Sequence, residues 1–211
     1  MSATDNYRLV VAQRRKLCDI ADRFTADQWA TPSLCARWSV RDVVCHLLGP
    51  VEFSVFKSVG PLFKARFNFD VFTQHMVAAD ERSGEVLTTA LRDGAEVRWT
   101  PPGFGFEAPL TDIVVHSLDI ACALGIDIVI DMQAQRAVLD FLVTKKATRG
   151  FVTTDRLRGL RFEADDFNWG FGTGPVVAGP ANDLLVAICG RRVSNPRLRG
   201  PGAQELLERL G

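Results

Sequence analysis

Between Leu110 and Leu124 the chain reads Leu110-Thr111-Asp112-Ile113-Val114-Val115-His116-Ser117-Leu118-Asp119-Ile120-Ala121-Cys122-Ala123-Leu124. Pro109 before it suits a first helical turn, and Gly125 after it is a natural terminator. Ile113, Val114, Val115, Leu118, Ile120, Ala121 and Leu124 fill several faces of the helix so framed, and a helix apolar nearly all round is buried. It therefore needs other elements to cover it, which makes it the inner member of a bundle. The same helix carries one stripe of ionisable groups, because Asp112, His116 and Asp119 follow at spacings of four and three. Burying a carboxylate or an imidazole is costly unless it is paired or bound to metal.

The rest of the first half supplies the covering helices. An amphipathic pattern runs from about Asp5 to Phe24 through Leu9, Val10, Leu17, Ile20 and Ala21. A short helical turn at Asp27–Trp29 and a loop from Thr31 to Arg37 follow. Ser39 and Asp42 have capping-box spacing, so a second helix should begin near Val40 and run towards Lys57. Pro50 inside it cannot donate to the His46 carbonyl, which predicts a kink one turn beyond that histidine. A third helix is expected from Ala79 to about Val97, and another from about Asp131 to Thr148. After Gly150 the texture changes. Residues Leu157–Ala164 alternate like a half-buried strand, Asn168–Val177 reads as its hairpin partner, and a short helix closes near Ile188 before Gly190. The expected fold is mainly α: an antiparallel four-helix bundle over residues 1–148, then a small α+β domain over 149–211.

Charge and cysteine usage exclude several functions. Basic and acidic residues number 25 each and form no basic block, so no nucleic-acid partner is expected. Neither a secretory start nor a bilayer-length apolar run is present, which points to a cytoplasmic chain without a membrane partner. The five cysteines include no C-x-x-C pair, as befits reduced thiols acting as small core hydrophobes. Phe53, Phe56, Phe63, Phe67, Phe69 and Phe72 either wall an apolar pocket or form core. A monomer or a homodimer is compatible with all of this.

His46, in the apolar run Val43-Val44-Cys45-His46-Leu47-Leu48, could bring a third ligand to Asp112 and His116 from a facing helix. Three protein ligands leave a tetrahedral ion one open position, the mark of a catalytic zinc site. A buried Asp–His hydrogen bond with a separate core histidine would satisfy the same residues without metal, and both readings stay open from spacing alone. Asp119 suits an outer role orienting an imidazole. Asp42 competes for a place around the site, although its helix cap explains it adequately. His75 has no partner at chelating spacing and reads as a surface residue. Gly170-Phe171-Gly172-Thr173-Gly174-Pro175 matches no nucleotide-binding signature. Arg191-Arg192 either ends a helix or binds an anion.

These segments carry a family resemblance. Trp38-Ser39-Val40-Arg41-Asp42-Val43-Val44-Cys45-His46-Leu47-Leu48-Gly49 resembles the W-S-V-x-D-x-x-x-H-L segment of the mycothiol-dependent maleylpyruvate isomerase family, within the DinB-like metal-binding four-helix bundles. Asp112–Asp119 is similar to that family's E-x-x-x-H-x-x-D segment, with aspartate shortening the reach by one methylene. Gly179-Pro180-Ala181-Asn182-Asp183-Leu184-Leu185 through Gly190-Arg191 resembles its small C-terminal domain. The resemblance implies a divalent metal, most simply Zn²⁺, held by His46, Asp112 and His116, and a role for Arg191 on an anionic thiol or substrate. It implies a metal-dependent enzyme that activates mycothiol or a similar thiol for addition to a small electrophile, as isomerase or S-transferase. The alternatives are a non-catalytic metal- or small-molecule-binding module of the same fold and a metal-assisted hydrolase. The sequence names no catalytic acid or base.

Overall fold

The computed structural model describes residues 2–52, 69–194 and 196–210, with side chains of the second stretch from residue 73 onward. Helix α1 spans Ala3–Ala21. It starts earlier than its apolar pattern, because Ser2 and Asp5 close a reciprocal capping box. The short α2 spans Ala26–Ala30. Helix α3, Val40–Glu52, begins at the expected cap: Ser39 Oγ accepts from the Asp42 N–H at 3.2 Å, and Asp42 accepts from the Ser39 N–H at 3.0 Å. It runs through Pro50, and its expected continuation to Lys57 lies outside the described residues.

Helix α4 (Phe69–Ala79) ends where the third helix was expected to begin, and α5 (Gly84–Asp93) occupies only the middle of the expected span from Ala79 to about Val97. The chain leaves helix at Asp80, which folds back to accept from Arg41 and Arg82 at 3.0 and 2.6 Å. Of the phenylalanine cluster, Phe53, Phe56, Phe63 and Phe67 lie outside the described residues, as do the side chains of Phe69 and Phe72. Helix α6, Glu107–Leu124, ends at Gly125 in the left-handed conformation, as its sequence predicts. Helix α7, Met132–Leu142, is shorter than expected and gives way to a 3₁₀ turn at Ala147–Arg149.

Helices α1, α6, α3 and α5 pack in a closed ring, each against the next. Leu17, Leu48, Leu87, Leu91, Leu110, Ile113 and Ile120 are sealed inside it. Helix α7 lies against α6 and α1, outside the ring. At the start of α5, Gly84 admits Trp29: a Cβ on Gly84 would fall into the indole ring. Trp29 is buried, so Gly84→Ala should destabilise the fold by about 1–3 kcal/mol. An unchanged urea midpoint would show that the indole can retreat.

The remaining elements are α8 (Thr154–Leu157), β1 (Arg161–Ala164), β2 (Gly170–Gly172), β3 (Val176–Gly179), α9 (Ala181–Ile188) and α10 (Pro201–Glu208). Strand β1 is central. It pairs antiparallel with β2, as the hairpin reading requires, and parallel with β3 on its other edge. The segment expected as one partner strand is thus split by a turn. Gly172 and Gly174 take φ of 85° and 128°, and a Cβ on either would strike the backbone at Leu160 or Gly159. Helix α9 packs on α7 and α6, so one hydrophobic cluster runs from Val10 to Leu206. The N-terminus of α9 has no side-chain cap of its own. Asp166, in the β1–β2 connection, accepts from the Ala181 N–H at 3.0 Å instead. No helix among the described residues is long and apolar enough to cross a membrane.

Candidate metal centre

Helix α6 presents Asp112 and His116 one turn apart, and α3 packs beside it with His46 on the facing side. His46 Nε2 and His116 Nε2 both point at Asp112 Oδ1, each at 3.4 Å. Both imidazoles pack against each other edge to face, with ring centroids 4.8 Å apart. Trp38 covers His46 at a centroid distance of 5.0 Å. The structure therefore brings together the three residues that the sequence singled out.

The separation decides how the triad is best described. At 3.4 Å the Asp112 contacts are longer than good N–H···O hydrogen bonds. By contrast, His116 Nδ1 meets Asp119 Oδ2 at 3.0 Å. Nitrogen and oxygen donors at about 2.0–2.1 Å from a tetrahedral zinc stand roughly 3.4 Å from each other. The donor set, two imidazole nitrogens and one carboxylate oxygen, suits a borderline divalent cation. The residues present thus fit the metal that the family resemblance implies.

The charges agree with that reading. Burial alone would raise the Asp112 carboxyl, but the neighbouring imidazoles of His46 and His116 outweigh it and hold the group far below the carboxylate range. Burial would lower His116, yet the nearby Asp112 carboxylate and the contacts with Asp119 and Cys35 push it well above the usual histidine value. Two carboxylates thus hold a proton on His116, and a cation on Nε2 would take that proton's place.

Asp119, fully buried on the same helix, is the hub behind His116. Arg191, just after α9, donates to it through Nε at 3.0 Å and Nη2 at 3.0 Å. Its third nitrogen, Nη1, donates to the Cys189 carbonyl at 3.0 Å. Burial would raise Asp119, but His116 and Arg191 bring it down to about 2. Arg191 thus lies where sequence reasoning placed it in the chain, but it faces Asp119. Asp119, expected in an outer role, contacts His116 Nδ1, the nitrogen turned away from Asp112. Asp42 is different: its oxygens are held by Ser39 and by Arg41 at 3.0 Å, and it lines a cavity of about 220 Å³ with Arg37, Trp38, Gln74, Val77 and Ala78. His75 is exposed on α4.

Sequence reasoning missed Cys35. Its thiol donates to Asp119 Oδ2 at 3.0 Å, lies 3.5 Å from His116 Nδ1 and accepts from Arg191 Nη2 at 3.3 Å. The loop carrying it turns sharply: Arg37 has a φ of 74°, and the Ser33 hydroxyl ties Cys35 N–H to the Trp38 carbonyl. No spacing in the sequence could signal it, since Asp119 lies 84 positions away. Cys45, adjacent to His46, is a core residue whose thiol burial pushes up to about 12.

Asp119 and Asp80 both lie near 2 in the fold, against an ordinary 3.8. A depressed carboxyl contributes stability that is complete above the unfolded value and is lost as pH falls through the folded one. The metal-free protein should therefore lose stability between about pH 4 and pH 2, read as a falling Tm. A flat Tm across that range would refute these ion pairs.

The chain folds as a mainly helical bundle with a small C-terminal α+β part, and three of its side chains converge as a candidate donor set. Residues 10–100 match the family model described as the mycothiol maleylpyruvate isomerase N-terminal domain, which bears out the resemblance read from the sequence. That match includes His46 and stops before Asp112, His116 and Arg191. Among solved structures, the chain is similar to the mycothiol-dependent maleylpyruvate isomerase, with a TM-score of 0.63 and 11% identity. A histidine-to-alanine mutant of the mycothiol-dependent maleylpyruvate isomerase gives 0.61 at 11% identity. Each alignment covers 96% of this chain and 94% of the other. No curated protein matches the chain significantly.

Proposed function

We propose that the chain is a metal-dependent thiol enzyme of the mycothiol-dependent isomerase or S-transferase type. The observation that carries this reading is the aim of two imidazole Nε2 atoms at one Asp112 oxygen, at a spacing suited to a tetrahedral ion. His46, Asp112 and His116 would hold a divalent ion, with zinc the best match to the donors. The ion would deprotonate a coordinated low-molecular-weight thiol, and the thiolate is the nucleophilic form.

The chain's own residues supply the setting. Asp119 accepts the His116 Nδ1 proton and so leaves Nε2 for the ion. Arg191 balances the Asp119 charge and keeps that carboxylate ionised. Trp38 shields His46 from water on one side and lines the neighbouring cavity on the other, giving the organic part of a thiol or electrophile an apolar wall. The thiol would add to a small electrophilic substrate, with release after isomerisation or retention as an S-conjugate. Mycothiol is the thiol suggested by the family.

The test has two stages. Purified protein should carry stoichiometric metal after zinc loading, and His46→Ala and His116→Ala should lose it. A panel of electrophiles should then turn over only when both thiol and metal are supplied. Metal-free wild type after loading sinks the proposal. Turnover without thiol would replace it with metal-assisted hydrolysis, and stoichiometric metal without turnover would leave a binding module.

A further inference from the structure

His116 stands between two groups of three donors. Its Nε2 faces His46 and Asp112, and its Nδ1 faces Cys35 and Asp119. In each group the donor atoms lie within 4.8 Å of one another. A neutral imidazole has one free lone pair, so His116 can serve one group at a time. The two groups differ in chemistry. One offers nitrogen, nitrogen and oxygen; the other offers sulfur, nitrogen and oxygen, the softer set and the better match for a thiophilic ion.

Donor chemistry alone would therefore send such an ion to the sulfur side. The structure fills that side with a cation of its own. Arg191 Nη2 lies 3.3 Å from Cys35 Sγ and 3.0 Å from Asp119 Oδ2, and Nε lies 3.0 Å from Asp119 Oδ1. The bond from Nη1 to the Cys189 carbonyl pins the guanidinium in this pose. Both Asp119 oxygens are thereby engaged, and a fixed positive charge touches the sulfur.

We infer that Arg191 selects the metal seat: by occupying the Cys35–His116–Asp119 group, it confines a metal ion to His46, Asp112 and His116. This deepens the metal reading above and rests on it. Arginine is suited to the task because its planar fork is always charged and engages a carboxylate with two nitrogens. Its second effect is to fix the tautomer, since Asp119 kept as a carboxylate retains the proton on Nδ1.

Cadmium(II) is the probe, because cadmium–thiolate ligation produces an ultraviolet charge-transfer absorption that nitrogen and oxygen ligands do not. Wild type should bind cadmium without that absorption, and His46→Ala should abolish binding. Arg191→Met should bind cadmium with the sulfur absorption, and adding Cys35→Ser to it should remove the absorption. Sulfur absorption in the wild type, or none in cadmium-loaded Arg191→Met, overturns the inference. Cys35→Ser alone tests it without disturbing the ion pair. Its cadmium-loaded ultraviolet spectrum should match that of wild type, and disappearance of a charge-transfer band on this substitution would place the ion on sulfur and overturn the inference. If His46→Ala abolishes wild-type binding while Arg191→Met shows no sulfur absorption, only the seat selection fails. If neither wild type nor Arg191→Met takes up cadmium, the metal reading fails with it.

Discussion

Asp119→Ala should cost about 3 kcal/mol of stability, because it strips the acceptor from Arg191, His116 and Cys35 at once. Breaking a buried ion pair on one side typically costs about 3–5 kcal/mol. The lower end applies here because the Arg191 side chain is 24% exposed and can regain water. For a chain of this length the loss corresponds to a fall in Tm of about 6–12 °C. Metal affinity should also drop about 10- to 100-fold, because His116 loses the group that fixes its tautomer. Asp119→Asn separates the two effects. It keeps an oxygen acceptor, so stability should fall less, while the neutral amide no longer balances Arg191. Calorimetry and metal titration on both variants suffice, and unchanged metal affinity in Asp119→Ala would show that Asp119 does not tune the ligand.

Phe162→Ala should be comparably destabilising for a different reason. Phe162 is on the central strand, fully buried, and among the largest side chains sealed in the core. Truncating a buried phenylalanine loses the transfer energy of the ring and leaves a cavity, together about 3–5 kcal/mol. Its neighbours in the sheet, Phe171 and Val177, cannot both move inward without breaking register. Denaturant unfolding should show a lower midpoint, and a change under about 1 kcal/mol would mean that the core refills. The folded variant should still bind metal, because Phe162 is not among the donors or their hydrogen-bond partners.

How much of this was legible in the sequence depended on how local the cause was. Helix α6, its glycine stop and its ionisable stripe follow from residues within a few turns of each other. So does the Ser39–Asp42 cap of α3. The convergence of His46 on Asp112 is a contact across 66 positions, and spacing could not supply it; the family resemblance did. Helix α4 was overlooked, and the α4–α5 break is made by Asp80, which pairs locally with Arg82 and reaches back 39 positions to Arg41. The splitting of the expected hairpin partner had a visible sign in Gly172 and Gly174. Its outcome, β3 parallel to β1 on the opposite edge, depends on packing across the sheet. Helix α10 also had a readable start, with Pro201 in its first turn after Gly200. Cys35 had none, because its role is conferred by Asp119 and Arg191 from remote positions.

The Arg191–Asp119 pair also bears on the order in which the molecule can be completed. As the chain leaves the ribosome, the bundle helices and all three candidate ligands emerge first, and Asp119 emerges with them. Its counter-cation follows 72 residues later. Until then, closing the ring over α6 would trap a carboxylate with only His116 and Cys35 for company, which favours a loose, hydrated helix over a sealed one. Contacts of such long sequence separation form late, after their loop-closure entropy has been met. The Asp119–Arg191 pair can therefore close only after the C-terminal segment has been made, so the carboxylate behind His116 is the last of these groups to gain its counter-cation.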